Sequence, residues 1–405
     1  MNAASEPIAY PFETYDGMRV TAQQAGLGDG EPLVRVRLPF GGDGWLARRY
    51  ADVRQVLTDP RFSRQAAFGR DVPRAHPLIR DRPGTMDLDP PEHTRLRRLV
   101  TAAFSAARVE QMRPQVQRII NGLLDDIVTV GAPVDLMETV CWPFAVAVIC
   151  DVLGIPVDRR STYRGLIDVS VGRDAFTPDE IRRARLELRD EVIALVEDRR
   201  EHLGDDIISA LVRARVEEDR LTAGELVELS TGILMAGLET PANQLGNFVY
   251  TLLTHPAELA KLRDRPGLIG SAVEELTRHV PIGASANHPR IALEDIEFGG
   301  VLIRAGEAVF VDFIAANRDP RVFADPDLLD LTREINPHVG YGHGVHRCLG
   351  ARLARMELQV AVSTIVRRLN GLRLVCDPQE VPWKMGRVFR GPSALTVAWD
   401  SDEPG

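Results

Sequence analysis

Cys348 stands in a loop whose composition favours a reactive thiolate. The loop reads Tyr341-Gly-His-Gly-Val-His-Arg-Cys-Leu-Gly350 and lies directly before a predicted helix. A helix N-terminus carries partial positive charge, which stabilises a thiolate over a thiol. Gly342, Gly344 and Gly350 allow the backbone to approach something flat and bulky. A lone cysteine is usually a plain core residue, but these neighbours indicate a metal ligand or a nucleophile.

A carboxylate and a hydroxyl lie together in the middle of the longest predicted helix. Glu239 and Thr240 precede Pro241, which has no N–H and so leaves the carbonyl of Gly237 without its usual helical partner. A bend or local opening is predicted from Gly237 to Pro241. Polar groups at such an opening can relay protons. The alternative is that Thr240 bonds back to a helix carbonyl, and the two roles can coexist.

The elements that must position these residues are mostly helical. From Asp89 to Leu262 the pattern is largely that of helices. A capping box at Thr222–Glu225 opens a run to about His255, on the order of 50 Å long, which should cross the whole domain. The fold class is therefore mainly α with small β-sheets. Shorter candidates are helices over Ser271–His279 and about Leu349–Leu369, and strands at Leu33–Leu38 and within Ile282–Val311.

Composition and charge narrow the class of protein. The chain has 405 residues, 44% of them hydrophobic and 26% charged, which is typical of a globular protein with an ample core. Its net charge of −9 argues against a nucleic-acid binder. The four cysteines form no CxxC pair, which excludes a zinc ribbon or a redox dithiol.

The sequence shows no signal-peptide charge pattern, because its first positive charge is Arg19. A clean apolar run near the middle, Phe144–Cys150, is far shorter than the roughly 20 residues of a membrane span. We therefore expect a cytoplasmic monomer with reduced thiols that binds neither membrane nor nucleic acid.

The cysteine loop resembles the ligand loop of the cytochrome P450 haem-thiolate monooxygenases, Phe-Gly-x-Gly-x-His-x-Cys-x-Gly, with Tyr341 in the phenylalanine place. Further motifs match in order. Ala236-Gly-Leu-Glu-Thr240 resembles the oxygen-groove motif, although Pro241 replaces the usual Thr or Ser that follows it. Glu275-Leu-Thr-Arg278 resembles the Glu-x-x-Arg motif, and Asp89-Pro-Pro-Glu-His-Thr-Arg-Leu-Arg97 resembles the helix that meets the haem propionates.

This resemblance spans about residues 45–398 and is to the bacterial soluble form of the family. It implies the cytochrome P450 fold, with a long central helix crossing one haem domain over residues 1–405, of which about residues 1–20 are a loose N-terminal segment. It also implies haem b as cofactor, O2 as co-substrate, and electrons from NAD(P)H. Because the chain has no flavin or iron–sulfur segment, those electrons must come through a ferredoxin and a ferredoxin reductase.

The resemblance assigns a role to each motif residue. Cys348 becomes the axial iron ligand, and Glu239 and Thr240 help to protonate bound oxygen. The propionates are anionic, so burying them requires cations and donors. Two of these groups are His93 and Arg97, which lie four residues apart on one helical face. Others are Arg290 and His346, and His288 is a weaker candidate. Glu275, Arg278 and Arg333 form a structural triad that holds the cysteine loop.

The substrate is expected to be a bulky apolar natural-product intermediate such as a macrolide, terpenoid or cyclic peptide. The long segment Arg64–Met86, together with Gly172–Thr177, is predicted to form a lid. A basic face on the cysteine side would steer the ferredoxin. The resemblance places in the pocket the residues Gln65, Leu88, Leu234, Ala236, Gly237, Ser285, Asn287, Val388 and Phe389. The basic face comprises Arg95, Arg98, Arg113, Arg347, Arg352 and Arg355.

The reaction outcome stays open at this level. Hydroxylation or epoxidation is the main expectation. The same oxidant can instead couple aromatic or indole rings, as in cyclic dipeptides, through C–C or C–N bonds without inserting oxygen. A non-enzymatic haem sensor or binding protein is a third alternative, and the Glu239–Thr240 pair argues against it because a sensor needs no proton relay.

Overall fold

In this computed structural model the described residues are 6–11, 18, 32–171, 176–218, 221–283, 288–384 and 389–400. The chain divides into two compact units. The first comprises Met1–Thr94, Thr277–Leu328 and Ile335–Cys348, and the second comprises Arg95–Leu276, Leu329–Glu334 and Leu349–Gly405. That both units belong to one haem domain stays a prediction.

Helices dominate, as the sequence predicts. In chain order they are α1 (Tyr50–Thr58), α2 (Glu92–Thr101), α3 (Ala106–Val130), α4 (Trp142–Leu153), α5 (Arg160–Ser170), α6 (Pro178–Glu201), α7 (Ile207–Glu218), α8 (Ala223–Thr254), α9 (Pro256–Asp264), α10 (Ile269–His279), α11 (Phe313–Ala316) and α12 (Ala351–Arg368). In the described part of the chain, no helix combines the length and the apolar content that a membrane crossing needs.

The strands are short and lie mainly in the first unit. They are β1 (Ile8–Ala9), β2 (Leu33–Arg37), β3 (Asp43–Ala47), β4 (Phe62–Ser63), β5 (Val134–Asp135), β6 (Arg290–Ala292), β7 (Ile296–Phe298), β8 (Val301–Ile303), β9 (Ala308–Val311), β10 (Arg373–Leu374) and β11 (Thr396–Ala398). The described strands of the first unit pair in the order β1-β2-β3-β9-β6-β4, with β7 and β8 as a separate hairpin. In the second unit β11 lies between β10 and β5.

The main sheet of the first unit is covered on both faces, since the neighbours Leu33 and Val34 lie in separate buried clusters. In β2 the side chains of Val34 and Val36 are buried, whereas Arg37 is exposed. Trp45 on β3 stands opposite Arg35 of β2 in an antiparallel pair and opposite Val309 of β9 in a parallel pair. One face of the sheet packs on α1, with Val53 and Val56 fully buried in the shared core.

The central helix of the second unit is α8. Its capping box forms as predicted, because the amide of Glu225 donates to Thr222 Oγ1 at 3.1 Å and the amide of Thr222 donates to Glu225 Oε2 at 2.8 Å. The helix packs against α4, and Gly237 makes this approach possible, since a Cβ there would lie 2.4 Å from Ile149 Cδ1. The opening predicted at Pro241 does not interrupt α8, which runs through it to Thr254.

Candidate functional site

The cysteine loop of the first unit is closed by its own backbone. The amide of Cys348 donates to the carbonyl of Tyr341 at 2.8 Å. Gly342 and Gly344 have φ angles of +72° and +70°, in the left-handed region that favours glycine. A Cβ on Gly344 would lie 2.3 Å from the carbonyl oxygen of Leu57 in α1, so this glycine lets the loop rest against the helix. Gly350 has an ordinary φ of −81° and no such contact.

Exposure separates Cys348 from the other three cysteines. Its side chain is exposed, whereas Cys141 and Cys150 are buried and Cys376 is half-buried. Burial raises the pKa of the Cys141 thiol and raises that of Cys150 to about 12. A thiolate that can bind a metal is therefore expected at Cys348 and not at the two buried positions.

Arg278 organises the backbone that leads to this loop. It is 1% exposed and donates to the carbonyls of Asn317 at 2.9 Å, Pro326 at 2.6 Å and Leu328 at 3.0 Å. Asn317 in turn accepts the amide of Val339 through Oδ1 at 2.8 Å. One buried guanidinium thus fixes a segment that is tied to the start of the cysteine loop.

The other two members of the expected triad meet in the second unit. Glu275 has no exposed surface, and its Oε2 accepts from Arg333 Nε at 3.1 Å. Its Oε1 accepts from the amide of Asp330 at 3.0 Å. Both carboxylate oxygens therefore hold the segment around Arg333, which suits a structural and not a chemical role.

Buried cationic and imidazole groups collect in the first unit. His93 is 1% exposed and Arg290 is 7% exposed. The rings of His93 and His346 lie 4.4 Å apart between centroids, and His346 Nδ1 is buried without a partner among the described residues. Burial and the nearby charge of Arg64 lower the pKa of Arg290 to about 9. This excess of buried donors fits an anionic group such as the haem propionates.

Arg64 and Asp87 belong to this region and were not among the site residues expected from the sequence. Asp87 accepts from Arg64 and, at 2.6 Å, from Arg80. Burial alone raises the pKa of Asp87, but the two guanidiniums outweigh it and lower that pKa to about 2. Arg64 follows β4, which pairs with β6, and β6 carries Arg290. No local pattern reveals this link, because the two strands are far apart in sequence.

A cavity lies beneath the predicted lid and within the first unit. Its volume is about 60 Å³, and it opens partly to solvent. The sequence predicts a mainly apolar lining, whereas the described lining carries several cationic groups. The arginines and histidines in the lining are Arg64, Arg70, Arg74, Arg80, His76 and His288. Apolar lining residues include Phe68, Val72 and Leu78.

Two expected pocket residues of the first unit do not line this cavity. Gln65 is exposed, and its Oε1 accepts the amide of Asp89 at 3.1 Å, so that oxygen serves the backbone just before α2. Leu88 is half-buried. The expected pocket residues Ser285, Asn287 and Val388 lie outside the described residues, as do residues 172–175 of the second lid stretch.

The α8 residues of the second unit divide into two groups. Ala236 is exposed, Thr240 is half-buried and donates its hydroxyl to the carbonyl of Ala236, and Glu239 is 2% exposed. Leu234 has no exposed surface and Gly237 lies against Ile149, and the predicted place of both in the pocket stays a prediction. Phe389, near the end of the chain, is half-buried.

The predicted basic face is partly neutralised. Arg95 pairs with Glu225, Arg113 with Glu110, and Arg355 with both oxygens of Glu274 at 2.6 and 2.9 Å. Arg98, Arg347 and Arg352 are exposed. Arg97, half-buried on α2, lies four residues after His93 on the same helix, as expected.

Comparison with known proteins agrees with these features. The profile of the family Cytochrome P450 matches residues 268–389. The nocardicin C N-oxygenase of Nocardia uniformis subsp. tsuyamanensis is 45% identical over 392 residues, which cover 96% of this chain and 98% of that protein. The mycinamicin IV hydroxylase/epoxidase of Micromonospora griseorubida is 43% identical over 396 residues, which cover 98% of this chain and 100% of that protein. The crystal structure of cytochrome P450mel 107F1, with biaryl coupling reactivity, matches with a TM-score of 0.91 at 41% identity, covering 97% of this chain and 100% of that one.

Proposed function

This chain belongs to the cytochrome P450 family, and we propose that it is the tailoring monooxygenase of a bulky natural-product intermediate. The observation that carries the proposal is Cys348, the exposed thiol in a glycine-shaped loop that matches the family's ligand loop. The similarity to an N-oxygenase and to a hydroxylase/epoxidase, each across nearly the whole chain, supports the same reaction class.

The cofactor of the family is haem, whose thiolate-bound iron activates O2 for substrate oxidation. In this chain Cys348 would supply the thiolate ligand. His93, Arg290 and His346 would hold the propionates, since they are the buried donors of the first unit, and Arg97 would add a further guanidinium. Arg64 would order this set, because it bonds to Asp87 and lies 2.8 Å from Nδ1 of His288, two residues before Arg290.

We assign the transfer of protons to two residues of α8, Glu239 and Thr240. Thr240 keeps its hydroxyl on the carbonyl of Ala236, and Glu239 is an acid buried one residue before it. To pass on a proton the hydroxyl must release this acceptor, because it has a single hydrogen to donate, and its lone pairs can accept another proton in return. Glu239 would resupply the proton that Thr240 delivers. Both roles favour an enzyme over a haem sensor.

Electrons come from NAD(P)H through external redox partners, as in bacterial members of the family. We assign the docking of an acidic ferredoxin to exposed arginines, namely Arg98 and Arg352 in the second unit and Arg347 in the first. Charge complementarity of this kind mainly raises the association rate, so docking should weaken with salt. The monomeric state and the cytoplasmic location stay predictions.

The lid Arg64–Met86 is the proposed substrate-facing segment. Its residues combine aromatic and aliphatic groups with guanidiniums, and we assign contact with the substrate to this mixed surface. The names of the relatives give nocardicin C and mycinamicin IV as their substrates, and a macrolide, a terpenoid and a cyclic peptide are all compatible with such a lining.

Oxidative coupling is the second candidate outcome, since the chain is also 41% identical to a cytochrome P450 with biaryl coupling reactivity. A spectral binding screen over macrolides, terpenoids and cyclic peptides, followed by product mass, distinguishes the two. A gain of one oxygen supports monooxygenation, whereas loss of two hydrogens or a dimeric mass supports coupling. A purified protein without a haem-thiolate spectrum would contradict both.

A further inference from the structure

Arginines outnumber carboxylates in the cavity beneath the lid. Its described lining contains Arg64, Arg70, Arg74 and Arg80, whereas Asp87 is the one carboxylate among those lining residues. Asp87 already accepts from Arg64 and, at 2.6 Å, from Arg80. A cleft lined mainly by one sign of charge attracts ions of the opposite sign, so the lining favours an anion as its occupant.

The guanidinium of Arg74 is held mainly by neutral groups. It lies over the ring of Phe40 at 5.7 Å and donates to the carbonyls of Val72 at 3.1 Å and Pro77 at 3.4 Å. Its charged partner is Asp71, whose side chain is 68% exposed and therefore well screened by solvent. The ring and the carbonyls fix the position of this guanidinium without cancelling its charge.

Arg70 and Arg80 are brought together because the lid folds back on itself. The amide of Gly69 donates to the carbonyl of Arg80 at 2.9 Å, and the Arg80 guanidinium lies 4.5 Å from the centroid of the Phe68 ring. Arg70, the next residue, is exposed and forms no ion pair within the part of the chain that the structure describes. Its charge is therefore available to a bound group.

The size of the cavity suits a functional group and not a whole substrate. Its volume is about 60 Å³, whereas pockets that enclose a drug-sized molecule have about 300–1,000 Å³. A carboxylate is small enough, and its two oxygens match the forked N–H groups of a guanidinium. Leu78 and Ile79 add apolar surface for the carbon atoms next to such a carboxylate.

This cavity is not the group of residues assigned to the haem propionates. His93, Arg290 and His346 are absent from its described lining. Arg64 stands at the border, since it lines the cavity and also lies 2.8 Å from Nδ1 of His288. The charges of Arg70, Arg74 and Arg80 therefore need an explanation of their own.

We propose that this cavity binds a carboxylate of the substrate, so that the natural-product intermediate is an organic acid. The inference rests on the proposed function, in which the lid faces the substrate. Arg70 and Arg80 bind the carboxylate oxygens, and Arg74 adds its positive charge from the wall of the cavity. An anchored acid group limits the orientations in which a bulky substrate can bind, and no covalent step is involved.

The first test needs no knowledge of the substrate. Phenylglyoxal modifies accessible guanidinium groups, and mass spectrometry of the digested holoenzyme gives the rate at each arginine. Millimolar sodium benzoate should slow the modification of Arg70 and Arg80 several-fold, whereas benzamide, its neutral analogue, should not. The control is Arg367, which is exposed at the end of α12 and should react at the same rate with either compound.

The second test compares carboxylic acids with their methyl esters by the substrate-induced spectral shift of the holoenzyme. The pairs are abietic acid with methyl abietate, and the cyclic dipeptide of glutamate and phenylalanine with its side-chain methyl ester. Each acid should bind about 10- to 100-fold more tightly than its ester, because the ester lacks the charged acceptor. Arg70→Met should remove most of this preference, Arg70→Lys should keep part of it, and Arg367→Met should keep all of it.

Equal rates of Arg70 and Arg80 modification in benzoate and benzamide would overturn the inference, as would esters that bind as tightly as their acids. If no pair gives a spectral shift, the modification rates decide the question. Failure of the proposed function itself has a different signature. The wild-type protein would then lack the haem-thiolate spectrum or NADPH-dependent O2 consumption, whereas protection of the arginines by benzoate would still be measurable.

Discussion

Arg333 Nε donates to Oε2 of Glu275 across 3.1 Å, and this carboxylate has no exposed surface. Removing one partner of a buried ion pair leaves the other charge uncompensated, which typically costs about 3–5 kcal/mol. Arg333→Met should therefore lower the free energy of unfolding by roughly that amount, as measured by urea denaturation. The control is Arg373→Ala, which removes an exposed pair with Asp400 and should cost less than about 1 kcal/mol. Equal losses in the two variants would contradict the structural role of Glu275.

Gly344 supports the cysteine loop by having no side chain. Its φ of +70° costs a residue with a side chain about 1–3 kcal/mol, and the contact with Leu57 adds to that cost. Gly344→Ala should therefore lower the melting temperature and weaken haem retention. Gly122→Ala, in the middle of α3 with no atom near its Cβ position, should instead gain up to about 1 kcal/mol. A neutral Gly344→Ala variant would show that the loop yields to the added methyl group.

Local signals in the sequence predict much of the fold. The capping box at Thr222 and Glu225 correctly starts α8, because its two hydrogen bonds involve residues only three apart. Predicted helix ends such as that of α10 at His279 agree with the structure, since Pro281 follows shortly. The loop around Cys348 is likewise predicted from the types and spacing of its own residues.

Local signals in the sequence do not predict contacts between segments that are far apart in the chain. The role of Gly237 depends on Ile149 of α4, and the oxygen of Gln65 is taken by the amide of Asp89. The bond between Arg64 and Asp87 depends on how the lid folds back.

Replacing Thr240 should lower the yield of product per electron pair consumed more than it changes the affinity for substrate. Removing a positioned proton donor typically slows the step that it assists by about 10²–10⁴-fold. Thr240→Ala should lower product per NAD(P)H and raise peroxide release, with the substrate-induced spectral shift nearly unchanged. A peroxide-driven reaction should be less affected, because its O–O bond arrives already reduced.

The control is Thr240→Ser, which keeps a hydroxyl able to donate to the carbonyl of Ala236 and should retain most of the coupling. If Thr240→Ala couples as well as wild type, the hydroxyl only bonds to the helix, and Glu239 or ordered water supplies the protons.

Glu357 should make stability depend on pH. Burial on α12 raises its pKa from an ordinary 4.5 to about 8 in the folded protein. The folded state then holds this proton more tightly than the unfolded state. The stabilisation by this proton is fully present below the pKa that Glu357 has in the unfolded state. As the pH rises it falls by up to about 1.4 kcal/mol per pH unit, and it is lost above the pKa of Glu357 in the folded state.

Glu357→Gln keeps a neutral side chain of the same shape and should show a flatter dependence of melting temperature on pH between about 5 and 8. Thermal unfolding of both proteins across this range is the measurement. Parallel curves would mean that Glu357 is not protonated in the folded state.

The central claim is that Cys348 supplies the thiolate of a haem-thiolate oxygenase, and the carbon monoxide difference spectrum of the reduced protein tests it most directly. The wild-type protein should show the sharp thiolate band. Replacing Cys141, Cys150 or Cys376 should keep that band, because none of them lies in the cysteine loop. Cys348→Ala should abolish it, whereas a band that remains near its original position in Cys348→Ala would contradict the account.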